Sequence, residues 1–202
     1  MKAAFYTELG AADAILSVGD QPTPEPGAGE VRVRLRTSGV NPSDVMKRSG
    51  LLSRALEFPL IIPHSDGAGE IDAVGNGVSS NRLGERVWIW NGQWRRPYGT
   101  AAEYIVVPGN QAAKLPDGVG YDAGACFGIP ALTAYHSVRL AEAAPGQTIL
   151  VAGGARAVGH YAVQIAKAHG ARVLTTVSSD AKAALAKKAG AEETIDFRNL
   201  AL

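Results

Sequence analysis

The chain has 202 residues and a single cysteine, Cys126. One thiol cannot close an intrachain disulfide or build a multi-cysteine metal site, so a reducing cytoplasm is the expected setting. An excess of charge of one sign is also missing. The net charge of +1 gives no footing for nucleic acid or a membrane surface. No apolar run reaches membrane-spanning length, and Met1-Lys-Ala-Ala-Phe-Tyr reads as a first strand rather than a signal peptide. Internal repeats and low-complexity tracts are absent as well. What is present is 46% apolar and 19% charged residues, the balance of a globular protein with a real core.

Glycine and proline crowd into the first 130 residues, as many short strands and turns require. Val31-Arg-Val-Arg-Leu-Arg alternates apolar and charged side chains, the period of a half-buried strand. Its approach, Pro22 to Glu30, is a surface turn. Residues 67–75, 86–90 and 101–108 read as further strands, and together they predict a barrel-like β domain over residues 1–125. A short helix is expected after Asn41-Pro-Ser-Asp, with Pro42 or Ser43 in its first turn.

The pattern changes near Tyr121. Residues 122–143 read as helix, interrupted around Gly128-Ile-Pro. Then follow strand 148–152, helix 157–168, strand 172–177, helix 180–189 and a strand near 194–197. Such alternation predicts a parallel sheet, with right-handed crossovers giving strand order 3-2-1. In the first crossover helix, Val158, Ala162, Ile165 and Ala166 mark the expected buried stripe. Residues 126–202 therefore read as the first half of a Rossmann unit.

The turn between strand 148–152 and its helix carries the chemistry. Gly153, Gly154 and Gly159, with Ala157 and Val158 opening the helix, form a candidate pyrophosphate cradle. Arg156 stands where the motif's middle glycine belongs. Its guanidinium could pair with phosphate, or its bulk could block the backbone; strain would add to the second case if φ there were positive. Impairment is the expectation. The second strand ends in Val177 rather than an acidic residue, and Ser178 with Lys182 suits a 2′-phosphate, hence NADPH. Asp180 reads as the N-cap of the next helix.

Taken in order, Ser38-Gly-Val-Asn-Pro-Ser-Asp, Pro63-His-Ser-Asp-Gly-Ala-Gly, Gly84-Glu-Arg-Val, Gly99-Thr-Ala-Ala-Glu-Tyr, Gly128-Ile-Pro-Ala-Leu-Thr-Ala-Tyr and the glycine turn resemble a zinc-independent medium-chain dehydrogenase/reductase. The nearest group is the zeta-crystallin-like NADPH:quinone oxidoreductases. The resemblance implies a GroES-like catalytic domain, an incomplete Rossmann domain, and an active site in the cleft between the domains. It implies hydride transfer from NADPH to a quinone or enone, with Asn41 near the nicotinamide and the substrate carbonyl and Thr133 at the nicotinamide ribose.

It also implies no metal. Asn41 and Ser65 stand where zinc-dependent relatives carry ligands, and His64, His136, His160 and His169 are scattered. Met46 occupies a position where many members have tyrosine, which removes a proton donor there. Trp88, Trp90, Trp94 and Tyr98 could wall a pocket, although Trp88 and Trp90 alternate as one packed strand face would. Asp66 reads as a buried structural carboxylate. A homodimer is compatible with the resemblance.

The chain stops after the third Rossmann strand, which leaves strand 148–152 an exposed apolar edge. A catalytically inactive fragment with weak or no nucleotide binding is therefore the alternative to the reductase.

Overall fold

The computed structural model describes residues 1–199. Residues 200–202, the last three of the expected second domain, lie outside the described residues. The chain divides into two compact units, residues 1–129 and the residues from Pro130 onward.

The first unit contains β1 (Lys2–Phe5), α1 (Ala12–Ile15), β2 (Ser17–Asp20), β3 (Glu30–Gly39), α2 (Pro42–Arg48), β4 (Asp66–Val74), β5 (Arg86–Ile89), β6 (Tyr104–Pro108), β7 (Ala112–Lys114) and α3 (Tyr121–Gly124). β1 and β2 form an antiparallel ribbon. Five strands form an antiparallel sheet in the order β6-β3-β4-β5-β7. β3 owes its place to alternation: Val31 and Val33 are fully buried, joined in the core by Ile71, Val87, Ile89, Ile105 and Val107. The intervening arginines are neutralised on the outer face. Arg32 pairs with Asp72 at 3.0 Å, and Arg34 and Arg36 reach Glu70 at 3.4 and 3.3 Å. α2 begins at Pro42, whose missing N–H costs nothing at a first helical position. The three-residue β7 and the β2 arm of the ribbon carry too little pattern to be read from sequence.

The segment expected as an interrupted helix over 122–143 is α3, a wide π-type turn at Phe127–Ala131 containing Pro130, and then α4 (Leu132–Leu140). α4 opens the second unit. It is followed by β8 (Thr148–Val151), α5 (Ala157–Ala168), β9 (Arg172–Val177), α6 (Asp180–Lys188) and β10 (Glu193–Asp196). The three strands are parallel in the order β10-β9-β8, as right-handed crossovers require. β8 is thus an edge strand among the described residues, with Leu150 62% exposed and Val151 buried.

The buried stripe of α5 differs from expectation. It runs through Gly159, Ala162, Val163 and Ala166, while Ile165 is partly buried and Val158 is exposed. The cause is Gly159. A Cβ there would collide with the backbone oxygen of Gly153, so glycine lets the helix settle closely on the turn with this face inward.

Candidate functional site

In the first unit, Asn41 caps α2 and is itself buried. Its backbone N–H donates to Asp44 Oδ2 at 2.8 Å, and its side-chain Nδ2 donates to Asp66 Oδ2 at 2.9 Å. The Asp66 carboxylate also accepts the Ile129 N–H, 2.9 Å from each oxygen. Asp66 is 1% exposed. Burial is the main force on its carboxyl, pushing it up to about 6; the two donors oppose this and nearby Asp44 adds to it. A polar chain runs outward from the same point. Thr100 Oγ1 donates to the Asp66 carbonyl at 2.6 Å, and Ser38 Oγ lies 2.9 Å from both Thr100 Oγ1 and His64 Nδ1. His64 has left-handed backbone (φ 76°), and burial lowers its pKa.

The aromatic residues do not assemble into one wall. Trp88 packs edge-on against Phe127 with ring centroids 5.8 Å apart, Trp90 Nε1 donates to the Asn110 carbonyl, and Trp94 is exposed beneath Lys47 and Arg95. A cavity of about 420 Å³ in this unit is lined instead by Tyr6, Leu9, Leu52, Leu56, Ile61 and Lys47, among others.

In the second unit, the glycine turn hangs from β9. The Gly153 and Gly154 N–H groups donate to Thr176 Oγ1 (2.9 Å) and Thr175 Oγ1 (2.8 Å), and Thr175 Oγ1 in turn donates to the Val151 carbonyl at 2.6 Å. Gly153 takes φ +69°, which a side chain rarely adopts. Arg156 is the N-cap of α5, with φ −92° and ψ 163°. The feared backbone strain is therefore absent, because this extended conformation suits any residue. Arg156, Ala157 and Val158 are exposed, and the first N–H groups of α5 have no acceptor within the helix.

At the end of β9, Lys182 Nζ donates to Ser178 Oγ at 2.8 Å, which brings together two candidate residues four positions apart. The N-cap of α6 is Ser179, whose Oγ accepts from Lys182 N at 3.3 Å, and not Asp180, which is the first helical residue. Ser179 has the extended backbone that a cap needs, and Asp180 has already turned into the helix. Thr133 lies exposed in the first turn of α4, where its carbonyl accepts from Ser137 Oγ.

The chain matches the family model described as the alcohol dehydrogenase GroES-like domain over residues 27–117, and the zinc-binding dehydrogenase model over 157–201. It is 40% identical over 184 residues to a quinone oxidoreductase of Pseudomonas aeruginosa, covering 91% of this chain and 55% of that protein. A mycobacterial protein solved in complex with NADPH superposes with a TM-score of 0.83 at 35% identity, over 99% of this chain and 59% of the other. The chain belongs to the zinc-independent quinone-oxidoreductase branch of the medium-chain dehydrogenases/reductases.

It spans somewhat over half the length of these relatives. A structure of an NAD-dependent alcohol dehydrogenase also matches this medium-chain dehydrogenase/reductase, with a TM-score of 0.90 and 34% identity over 98% of this chain and 64% of that one. The fold is accordingly a GroES-like domain followed by part of a Rossmann-type region.

The donor set does not fit zinc. Asn41 spends a side-chain N–H on Asp66, Ser65 offers only a hydroxyl, and the described residues hold no group of three or more histidine, cysteine or acidic side chains suited to a metal. Residues that sequence reasoning missed are Thr175, Thr176, Ser38 and Thr100. The two β9 threonines left one signal, adjacent hydroxyls in an otherwise apolar parallel strand. Ser38 and Thr100 lie within family motifs but far apart in sequence, and only the sheet brings them together.

Proposed function

We propose that the protein serves as an NADPH-dependent oxidoreductase acting on quinones or conjugated carbonyls. The observation that carries this is the glycine turn, held by two threonine hydroxyls beneath the open N-terminus of a 12-residue helix. Unpaired N–H groups and the helix dipole favour a pyrophosphate there. Lys182 and Ser178 supply charge and a hydroxyl for a 2′-phosphate, and no carboxylate ends β9 to hold a free ribose diol. NADPH supplies a hydride when bound; the chain's own task is to bind, orient and keep water out.

In this reading Gly153, Gly154, Ala157, Val158 and Gly159 form the pyrophosphate cradle. Asn41 is assigned to the nicotinamide and substrate carbonyl, and Thr133 to the nicotinamide ribose. Arg156 is assigned to pyrophosphate. Its backbone is unstrained, and its side chain, exposed beside the helix start, is free to swing onto a phosphate. The test is nucleotide titration of Arg156→Gly. Pairing predicts NADPH binding weakened roughly tenfold, the worth of one charge-assisted contact. Tighter binding would mean obstruction and favour the inactive reading. Failure of the unaltered chain to bind NADPH, or tighter binding of NADH, would overturn the cofactor assignment. A cytoplasmic protein without nucleic-acid partners goes with this function, supported by the near-neutral charge and single cysteine, and a homodimer is compatible with it.

A further inference from the structure

Asp66 is a buried carboxylate with no Lys or Arg paired to it among the described residues. Its charge is met by N–H donors alone, and these come from two distant segments: the Asn41 side chain at the start of α2 and the Ile129 backbone in the Phe127–Ala131 turn. Thr100 fixes the Asp66 backbone from a third. A Cβ on Gly128 would collide with Asp66 Oδ1, so the turn closes onto the carboxylate only because residue 128 is glycine. We infer that Asp66 is a positioning residue that commits the Asn41 carboxamide, nitrogen inward, and ties it to the Phe127–Ala131 turn. This rests on the assignment of Asn41 to the nicotinamide end made above.

The consequence is chemical. A carboxylate accepts from both donors at once. A carboxamide at position 66 has one acceptor oxygen and an NH2 that cannot face another donor. In Asp66→Asn the new NH2 takes one of two places, each 2.9 Å from Ile129 N, and so opposes the Ile129 N–H; at the Oδ2 place it also opposes the Asn41 NH2 unless that amide turns over, exchanging its oxygen and nitrogen. Gly128→Ala should have the same result while both polar residues stay in place, because the new methyl displaces the carboxylate.

Two readouts decide this. The first is the NMR spectrum of the Asn41 side-chain NH2 and the Ile129 amide. In the unaltered chain one Asn41 proton should be shifted downfield and exchange slowly, with a coupling across the hydrogen bond to the Asp66 carboxyl carbon. That measurement needs no variant. In Asp66→Asn and Gly128→Ala at least one of the two signals should lose its protection. The second is affinity for NADPH against adenosine 2′,5′-bisphosphate, which carries the 2′-phosphate end but no nicotinamide. Both variants should weaken NADPH roughly three- to tenfold and leave the bisphosphate unchanged; mere unfolding would weaken both. Absence of the Asn41–Asp66 coupling, unchanged signals in both variants, or an unchanged affinity ratio where the signals move would overturn the inference. If the unaltered chain binds neither nucleotide, the functional reading falls and the NMR result alone decides whether Asp66 holds Asn41.

Discussion

The two units build their candidate sites by opposite means. In the first, a charged group on β4 is taken out of water and held by donors converging from the start of α2 and from the Phe127–Ala131 turn. In the second, nearly everything is backbone: glycines that allow close approach, threonine hydroxyls that hold the turn, and open helix N–H groups, with charge only at the exposed rim. The first is vulnerable to a change of charge, the second to a change of shape. All three tryptophans, Trp88, Trp90 and Trp94, belong to the first unit. Tryptophan fluorescence therefore follows that unit, and helical circular dichroism is weighted toward the second, which holds α4, α5 and α6.

The largest effect expected is from a single methyl. Gly159→Ala places a Cβ against the Gly153 backbone, where no flexible side chain can give way. It should destabilise the second unit by about 3 kcal/mol, as overpacking against backbone does. Urea titration should show the helical signal lost at lower denaturant, with the tryptophan transition much less affected. Equal shifts of both would break the contrast.

Next is the charge-sensitive counterpart. The folded Asp66 carboxyl sits near 6 against an ordinary 3.8, so the folded state holds its proton more tightly. That contribution is complete below the ordinary value and is lost as pH rises through about 6, amounting to about 2–3 kcal/mol. Asp66→Asn should flatten the fall in stability of the first unit between pH 4 and 6, read by tryptophan fluorescence. An unchanged slope would remove Asp66 as its source.

Lys182→Ala, at the rim of the second site, should weaken NADPH roughly fivefold and leave NADH unchanged, since only the 2′-phosphate is lost as a partner. Equal effects on both nucleotides would move Lys182 off that phosphate. The smallest effect should come from Glu70→Gln, four residues along the strand from Asp66. Glu70 is held below its ordinary range first by the Tyr121 hydroxyl at 2.7 Å and then by Arg36 and Arg34, but it stands near solvent. Its sign is the reverse of Asp66: stability present at neutral pH and lost as pH falls. The loss on substitution should be under about 1 kcal/mol.

These carboxylates show where sequence reading ends. Both are acidic residues on one strand, and nothing local tells that one lacks a cation partner and the other is paired with arginines. Asp66 could be read as buried, and the parallel strands, their order and the glycine turn were legible from periodicity. The stripe of α5 was misplaced because α5 turns its Gly159 side inward, a choice made by contact with Gly153 rather than by hydrophobicity. The cap of α6 went to Ser179 rather than Asp180 because backbone angles, not residue type, decide which of two adjacent capping residues stands outside the helix.

The sequence by itself determined the apolar and charged alternation of β3, the βαβ order of the second unit and the placing of Ser178 and Lys182 within reach of each other. Each depends on neighbours along the chain or on composition. Only the tertiary structure decided that Asp66 accepts from Asn41 and Ile129 together, that Thr175 and Thr176 carry the glycine turn, and that Arg156 sits unstrained at a helix start. The reason is physical: a buried polar group must find its partner, and that partner is whichever donor or acceptor the packed strands bring within about 3 Å, however far away it lies in sequence.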